Sequence, residues 1–288
     1  MLIRPTLQLL RPANLVTAVA DILAGMCIVS FHWNGFSYLY LIGASVSLYA
    51  GGVVFNDYFD RKIDAKERSE RPIPSGNVSK EFAFLLGTTL LMIGVAFAFL
   101  YSCTSFFVSL LICFFVLLYN YYAKHHIVFG PLVMGFCRGL NLVFGMTSVS
   151  EIPELSFYLS ILPIVYIAAI TLVSQNEVLG GGKSKLRIAL FLFGGVFFVQ
   201  IFLSFRNGNL LTTLPFVLFH ISLLFPPLLK SIQEPSPEQI RKTVKMGVLA
   251  LIVLNVSFAA SFGNLVVAIL ILALLPISLG IAKGFAVT

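Results

Sequence analysis

Three oxygen-bearing side chains are spaced to project from one face of a helix. Asn56, Asp60 and Asp64 stand at positions i, i+4 and i+8, a spacing that aligns side chains along one helix face. The residues before them are very apolar, and charge at the end of such a helix is costly and usually functional. Mg²⁺ takes one or two carboxylates and completes its shell with water and substrate phosphate oxygens. The row therefore predicts a site for Mg²⁺ and a phosphate-bearing substrate.

A simpler interpretation of these residues is a solvated helix end. In that case the aspartates would pair with cations nearby in the sequence, which are Arg61, Lys62 and Arg68. A lone Asp would favour this interpretation, whereas three oxygen side chains in step favour the metal. Just downstream, Arg68 and Arg71 can each direct two N–H groups at phosphate oxygens. A positively charged loop would explain their charge but not the order Arg-Pro-Ile-Pro-Ser-Gly that begins at Arg71.

The composition is that of a membrane protein. Of the 288 residues, 58% are hydrophobic and only 11% are charged, against about 25% charged residues in a soluble domain. The mean hydropathy is +0.96. This balance excludes a water-soluble globule, a disordered chain and a disulfide-rich secreted module. The net charge of +7 lacks a basic face alternating with aromatics, so nucleic acid is not expected as a partner.

Long apolar runs must position the polar residues. A helix that crosses a bilayer needs about 20 mostly apolar residues, and ten runs approach this length. They cover residues 14–32, 36–56, 82–101, 104–122, 131–149, 156–174, 188–205, 211–229, 245–261 and 264–282. The last two meet at 262–264, either as two helices joined by a tight turn or as one span followed by a surface segment. The sequence thus predicts one all-α membrane domain over 1–288, with nine or ten spans embedded in the lipid bilayer.

Lysine and arginine predict the orientation of the bundle, because cytoplasmic loops are enriched in both. With ten spans, all 19 of them except Arg138 and Arg206 fall on one side. That side includes both termini and every long loop, among them residues 57–81 with the aspartates. The expected location is therefore a bacterial inner membrane, with the active site facing the cytoplasm.

The acidic segment resembles a known signature. Asn-Asp-x-x-Asp-x-x-x-Asp from Asn56, followed by Arg-Pro-Ile-Pro-Ser-Gly from Arg71, is similar to the first motif of the UbiA superfamily of intramembrane prenyltransferases. Arg11-Pro12-Ala13-Asn14 resembles the family's Arg-Pro-x-Asn before the first helix. The segment 119–125 is similar to its Tyr-x-x-x-x-Lys-Arg, with His125 in place of Arg. Residues 135–141 resemble the fifth-helix pattern, so the resemblance covers nearly the whole chain.

The resemblance implies a fold and a reaction. The fold would be a single bundle of about nine helices around a central cavity that opens sideways to lipid. The reaction would be Mg²⁺-dependent transfer of a prenyl group from a polyprenyl diphosphate to an unidentified membrane-borne acceptor. By carry-over, Asn56, Asp60 and Asp64 would be metal and diphosphate ligands. The residues implied to line the cavity or the phosphate site are Asn14, Lys124, Arg138 and Asn141.

The second acidic motif of the family is degenerate here. Where Asp-x-x-x-Asp is usual, the chain reads Ser-Gln-Asn-Glu-Val-Leu-Gly-Gly-Gly-Lys over residues 174–183, so Glu177 is the only acid and the expected second metal-binding side chain. Glycines followed by Lys183 resemble a phosphate cradle of backbone N–H groups and a cation, although such a stretch is most often a flexible loop. The pattern resembles the EboC-type branch of the superfamily.

Two polar features leave alternatives open. Asp21 lies inside the first apolar run, where it could orient Asn14 or an acceptor, or pair with Arg138.

The missing second acid of the family motif supports a protein of this fold that binds or moves a lipid-linked intermediate without prenyl transfer. A secondary transporter is a third possibility, but transporters tend to place their sites near the bilayer midplane. Prenyl transfer is the favoured function.

Overall fold

The computed structural model describes residues 3–30, 33, 35–175, 177 and 180–285, and all regular structure within these ranges is helical. A 3₁₀ turn, Ala123–His125, lies between α5 and α6. The α-helices are α1 Ile3–Leu10, α2 Pro12–Ile28, α3 Tyr38–Glu67, α4 Lys80–Tyr101, α5 Cys103–Tyr121, α6 Phe129–Met146, α7 Glu154–Tyr158, α8 Ile161–Ser174, α9 Lys183–Arg206, α10 Leu210–Gln233, α11 Pro237–Ser261 and α12 Leu265–Ile281.

The predicted membrane bundle is confirmed. Eight helical segments of the described chain, α7 and α8 counting as one, are long and apolar enough to cross a bilayer; the number is nine if α1 and α2, bent by 44°, form one span. Helices dominate because each satisfies its own backbone hydrogen bonds in lipid. The predicted count of nine or ten included α12, whose 17 residues make it shorter than those spans. The last two runs are separate helices, joined by a turn at Gly263 with φ +79°.

Helix α3 is longer than its apolar run. It continues to Glu67, eleven residues past the predicted end of the run at 56, because no Gly or Pro interrupts residues 53–71. At its end, Arg68 donates its backbone N–H to the carbonyl of Asp64 over 2.8 Å. Asn56, Asp60 and Asp64 therefore lie on one continuous helix. We call the end of the bundle that carries these three residues the acidic end.

Glycines allow α2 and α6 to cross closely. A Cβ atom added at Gly25 would lie 2.4 Å from the carbonyl oxygen of Leu142, and one added at Gly145 would lie 2.5 Å from that of Ile22. Small residues permit this approach of backbones in membrane bundles. The close approach lies near the C-terminal ends of α2 and α6, one to two turns beyond the charged side chains of Asp21 and Arg138. Helix α11 is fully buried over 249–261 and forms the centre of the bundle.

Candidate functional site

A chain of ion pairs occupies the acidic end. The Asp57 carboxylate accepts from the Arg11 guanidinium at 2.7 Å and from Arg71 at 3.4 Å. Arg71 also donates to Asp64 at 2.9 Å, so one guanidinium bridges two carboxylates of α3. Arg11 has a left-handed backbone, with φ +46° and ψ +64°, at the bend between α1 and α2. This conformation is rare for a residue with a side chain, and here it accompanies a guanidinium bound to Asp57.

Asp60 pairs with a lysine from a different element. The Lys124 ammonium of the 3₁₀ turn lies 2.5 Å from the Asp60 carboxylate, and the lysine side chain is only 8% exposed. Burial lowers the pKa of Lys124, and the neighbouring carboxylate of Asp60 opposes this effect only in part. The turn therefore presents a desolvated cation to the acidic face of α3.

Glu177 reaches the same cluster from the segment between α8 and α9. Its Oε2 accepts from Arg68 at 3.4 Å, whereas its Oε1 is buried and has no hydrogen-bond partner among the described residues. Burial raises the pKa of Glu177, and the opposing effects of Arg68, Arg241 and Arg11 are smaller. The charges of Arg68, Arg241 and Arg11 therefore all favour the ionised form of Glu177.

The cluster mixes hard oxygen ligands with anion-binding groups. Its acids are Asp57, Asp60, Asp64 and Glu177, and its cations are Arg11, Arg68, Arg71, Lys124 and Arg241. In the described chain no three His, Cys, Asp or Glu side chains are grouped to hold a metal. Mg²⁺ nevertheless fits, because it keeps water and phosphate ligands beside one or two carboxylates, and Glu177 offers an unused oxygen. The arrangement can hold a magnesium-bound diphosphate.

The other predicted site residues lie at different places in the fold. Asn56 is partly buried on α3, one turn before Asp60. Asn14 is buried in the first turn of α2. Lys183 begins α9 with an exposed side chain, so it lies at this end without a described contact to the acids. Arg138 and Asn141 are not part of the ion-pair cluster.

A second polar network lies deeper in the bundle. Arg138 is nine residues into α6, or about 14 Å along it. Its Nε lies 2.7 Å from the Asp21 carboxylate, and it also donates to the carbonyl of Thr17 at 2.8 Å. Asn141 and Asn255 donate to Asp21 at 2.8 and 2.7 Å. Of the alternatives for Asp21, pairing with Arg138 is the one observed.

The glycine-rich stretch forms a left-handed lead into α9. Gly180, Gly181 and Gly182 have φ values of +70°, +82° and +71°, which favour glycine. Gly181 donates its N–H to the carbonyl of Pro235 at 2.8 Å, which fixes the stretch against the turn between α10 and α11. Asn176, Val178 and Leu179, part of the same sequence pattern, lie outside the described residues.

Three residues of the cluster are absent from the predicted site. Sequence spacing does not predict the ion pairs of Arg11 and Asp57, because these pairs join residues 14 and 46 positions apart. It also does not predict the electrostatic effect of Arg241 on Glu177, which acts between distant parts of the sequence. Two of them carried a signal, since Arg11 begins the Arg-Pro-x-Asn segment and Asp57 is the first Asp of the Asn-Asp-x-x-Asp signature. The alternative of aspartates pairing with Arg61 and Lys62 is not observed: Arg61 instead donates to the carbonyl of Tyr58 at 2.7 Å.

Together, the fold and the cluster define a polytopic helical membrane protein with interleaved acidic and basic side chains at one end. The model of the UbiA prenyltransferase family matches residues 18–246. The chain therefore belongs to the UbiA prenyltransferase family.

Relatives and solved structures agree with this assignment. The digeranylgeranylglyceryl phosphate synthase of Methanothrix thermoacetophila is 40% identical over 89 residues, and that of Methanopyrus kandleri is 39% identical over 95. These segments cover 31–32% of the chain and 33–35% of the relatives, so the match spans about a third of their length.

Whole-chain similarity extends to solved structures. A UbiA homologue from Archaeoglobus fulgidus bound to DMAPP and Mg²⁺ superposes with a TM-score of 0.66 at 16% identity, covering 91% of this chain and 99% of that one. A UbiA homologue from Aeropyrum pernix K1 gives 0.58 at 17% identity, covering 94% and 96%. At these identities the comparison establishes the fold.

Proposed function

We propose that the chain is an enzyme that transfers a prenyl group from a polyprenyl diphosphate to a membrane-borne acceptor, with Mg²⁺ as cofactor. The observation that carries this proposal is the meeting of Asp60 and Asp64 with Lys124, Arg71 and Glu177 at one end of the bundle. Acids suited to a divalent cation and cations suited to phosphate are interleaved there. Membership of the UbiA family gives the arrangement its reaction type.

Each group has a distinct role in this proposal. Asn56, Asp60, Asp64 and Glu177 hold Mg²⁺, and Arg68, Arg71, Lys124 and Lys183 bind the diphosphate. Mg²⁺, when bound, supplies charge neutralisation on the leaving diphosphate. The C–O bond to the prenyl carbon breaks, its electron pair leaves with the diphosphate, and the acceptor attacks the allylic cation and loses a proton. Lys124 and the arginines stabilise the growing negative charge.

The remaining assignments are finer proposals. Asn14, Arg138 and Asn141 would border the space for the prenyl chain and the acceptor. The excess of lysine and arginine in the loops at the acidic end supports a site on the cytoplasmic side. The name of the relatives suggests a glyceryl phosphate lipid as one acceptor to test. The pattern over residues 174–183 supports an EboC-type branch. The organisms of the two relatives above are archaea, so a bacterial inner membrane stays a prediction.

The test of the proposed function is release of diphosphate by the purified chain. The chain is incubated with Mg²⁺, with geranyl, farnesyl or geranylgeranyl diphosphate, and with either a membrane lipid extract or a prenylglyceryl phosphate. Metal-dependent diphosphate release together with a prenylated lipid product is expected. EDTA should abolish both.

The competing candidate is a protein of this fold that binds a lipid-linked diphosphate without transferring the prenyl group. Glu177 favours it, because a single acid stands where the family usually has two, and this acid pairs with Arg68. Saturable, Mg²⁺-dependent binding of the prenyl diphosphates without diphosphate release from any donor and acceptor pair would support this candidate and contradict the enzyme.

Glu177 and Asp57 make different contacts in the cluster, so neutralising each carboxylate should change the reaction rate by a different amount. We expect Glu177→Gln to lower kcat at least tenfold more than Asp57→Asn, because Glu177 has an unused oxygen for Mg²⁺, whereas Asp57 is occupied by Arg11 and Arg71. Steady-state diphosphate release at saturating Mg²⁺ measures the effect. Equal rates in the two variants would show that Glu177 is not the second metal-binding side chain.

Lys183 tests the anion-binding role of the glycine-rich stretch. We expect Lys183→Ala to raise the KM for the prenyl diphosphate about three- to tenfold with little change in kcat, because an exposed cation contributes modestly to binding. Lys230→Ala is the matched control, since Lys230 is an exposed lysine at the same end of the bundle, in the last turn of α10. Identical KM values for the two variants would reduce the stretch to a connecting loop.

A further inference from the structure

A cavity of about 390 Å³ opens at the end of the bundle opposite the acidic site. It lies between the start of α3, the turn that joins α4 to α5, and the end of α6. No Asp, Glu, Lys, Arg or His of the described chain lines it, and its volume falls in the usual range of small-ligand pockets, roughly 300–1,000 Å³. Its wall is instead rich in hydroxyl groups, including those of Ser37, Tyr40, Tyr101, Ser102, Thr104 and Ser148.

A chain of hydroxyl groups in this wall has a fixed direction. Thr147 donates its only hydroxyl hydrogen to the carbonyl of Phe144 at 2.7 Å. Ser105, 2.7 Å from the Thr147 oxygen, must therefore be the donor of that pair. By the same reasoning Ser102, 2.8 Å from the Ser105 oxygen, donates to Ser105. All three hydrogens point into the protein, so the cavity-lining Ser102 keeps a lone pair but no hydrogen to offer a ligand.

The Tyr101 hydroxyl, like that of Ser102, has its hydrogen engaged within the protein. It donates to the backbone carbonyl of Ser148 at 3.2 Å, which leaves the lone pairs of the phenol oxygen as acceptors. The Ser148 hydroxyl is buried and has no hydrogen-bond partner among the described residues. The polar groups of the wall with defined partners are thus acceptors toward the cavity.

We propose that this cavity binds an uncharged polyhydroxyl group, such as a sugar or glycerol headgroup. Ligand hydroxyls supply the hydrogens that Ser102 and Tyr101 lack, and their own oxygens can accept from the wall hydroxyls that are still free to donate. An anion is disfavoured because it would meet acceptor lone pairs with no lining cation. An amine is disfavoured because no carboxylate lines the cavity to balance its charge.

The surroundings favour a lipid as the carrier of this group. Tyr40 and Leu100 line the cavity and are 43% and 62% exposed. Tyrosine is enriched at membrane interfaces, where its ring sits at headgroup level. A headgroup in the cavity therefore leaves an apolar surface beside it for the acyl chains. A free sugar shares the headgroup chemistry but would gain nothing from that surface.

The single tryptophan of the chain provides a reporter for binding. The Trp33 ring lies 4.7 Å from that of Tyr38, which directly follows the lining residue Ser37. The purified full chain in detergent is titrated with glucosyl-dioleoylglycerol, with free glucose and with dioleoylphosphatidic acid while Trp33 fluorescence is recorded. A saturable change with the glucosyl lipid and none with phosphatidic acid is expected. Saturation by free glucose at equal affinity would retain the polyhydroxyl site and exclude the lipid as its preferred carrier.

Two variants localise the response. Thr104→Tyr fills the cavity without removing a hydroxyl of the chain through Ser102 and should weaken binding of the glucosyl lipid at least tenfold. Tyr101→Phe removes one acceptor and should weaken it roughly fivefold. Thr88→Val, a hydroxyl outside the cavity on the exposed side of α4, is the matched control. No saturable change in the unaltered chain, an equal response to phosphatidic acid, or unchanged affinity in Thr104→Tyr would overturn the proposal.

Discussion

Asp60→Asn should lower Mg²⁺-dependent diphosphate release about 10²–10³-fold, the loss typical when a group that stabilises transition-state charge is removed. The substitution keeps the shape of the side chain and removes its charge. In the structure this carboxylate balances Lys124 at 2.5 Å. In the proposed reaction it binds Mg²⁺ while Lys124 turns to the diphosphate. The loss should appear in both kcat and the Mg²⁺ concentration for half-maximal rate.

The control for this variant is Glu81→Gln. Glu81 also lies near the acidic end, in the first turn of α4, but its side chain is 72% exposed and its ion pair with Lys80 at 3.7 Å is superficial. Its neutralisation should leave the rate within twofold. Asp60→Asn also leaves Lys124 without its partner, so thermal unfolding of both variants is recorded beside the assay. Retention of more than half of the activity in folded Asp60→Asn would mean that Asp60 does not hold the metal.

The fold was largely predictable because membrane insertion leaves a strong signal in sequence. Each of the ten apolar runs contains one described helix or most of one, since a run of about 20 apolar residues has few alternatives in a bilayer. The end of α3 was not predictable from hydropathy. It depends on the absence of helix breakers after the apolar residues stop, which allows Asp60 and Asp64 to continue the helix to Glu67.

The site was predictable where it depends on spacing along one helix and unpredictable where it depends on contacts between helices. The alignment of Asn56, Asp60 and Asp64 follows from helical periodicity. The partnership of Asp60 with Lys124 joins residues 64 positions apart, and no local pattern encodes it. Family resemblance supplied Lys124, but it gave no reason to expect that Asp57 would be occupied by Arg11.

Contacts between helices are partly predictable where a charged residue lies inside an apolar run, since a buried charge requires a partner. Asp21 is the one Asp inside the first run, and Arg138 is the one Arg or Lys inside the fifth. Their pairing was one of several alternatives at the level of sequence. The crossing of α2 and α6 at Gly25 and Gly145 brings them together. Arg138 binds Asp21 and the carbonyl of Thr17, and Asp21 also accepts from Asn141 and Asn255. Because these contacts connect different helices, the first role of the pair is to join helices.

Asp21→Asn should destabilise the bundle by about 3–5 kcal/mol, the cost typical of removing one partner of a buried ion pair. The side chains of Asp21 and Arg138 are 2% and 4% exposed, so water cannot replace the lost carboxylate. Arg138→Met should cost less. A carboxylate left alone can take up a proton and become neutral, whereas a guanidinium keeps its charge in a protein. The measurement is unfolding in mixed micelles by a denaturing detergent, followed by circular dichroism.

The double variant, Asp21→Asn with Arg138→Met, separates an ion pair from two independent contacts. It should be more stable than Asp21→Asn alone, because it removes the unpaired guanidinium that makes the single substitution costly. Arg206→Gln, at the exposed end of α9, should leave the unfolding free energy within about 0.5 kcal/mol. Additive losses in the double variant would contradict coupling between the two residues. Since the pair joins α2 to α6 away from the proposed Mg²⁺ ligands, these variants should change stability far more than the Mg²⁺ dependence of any remaining activity.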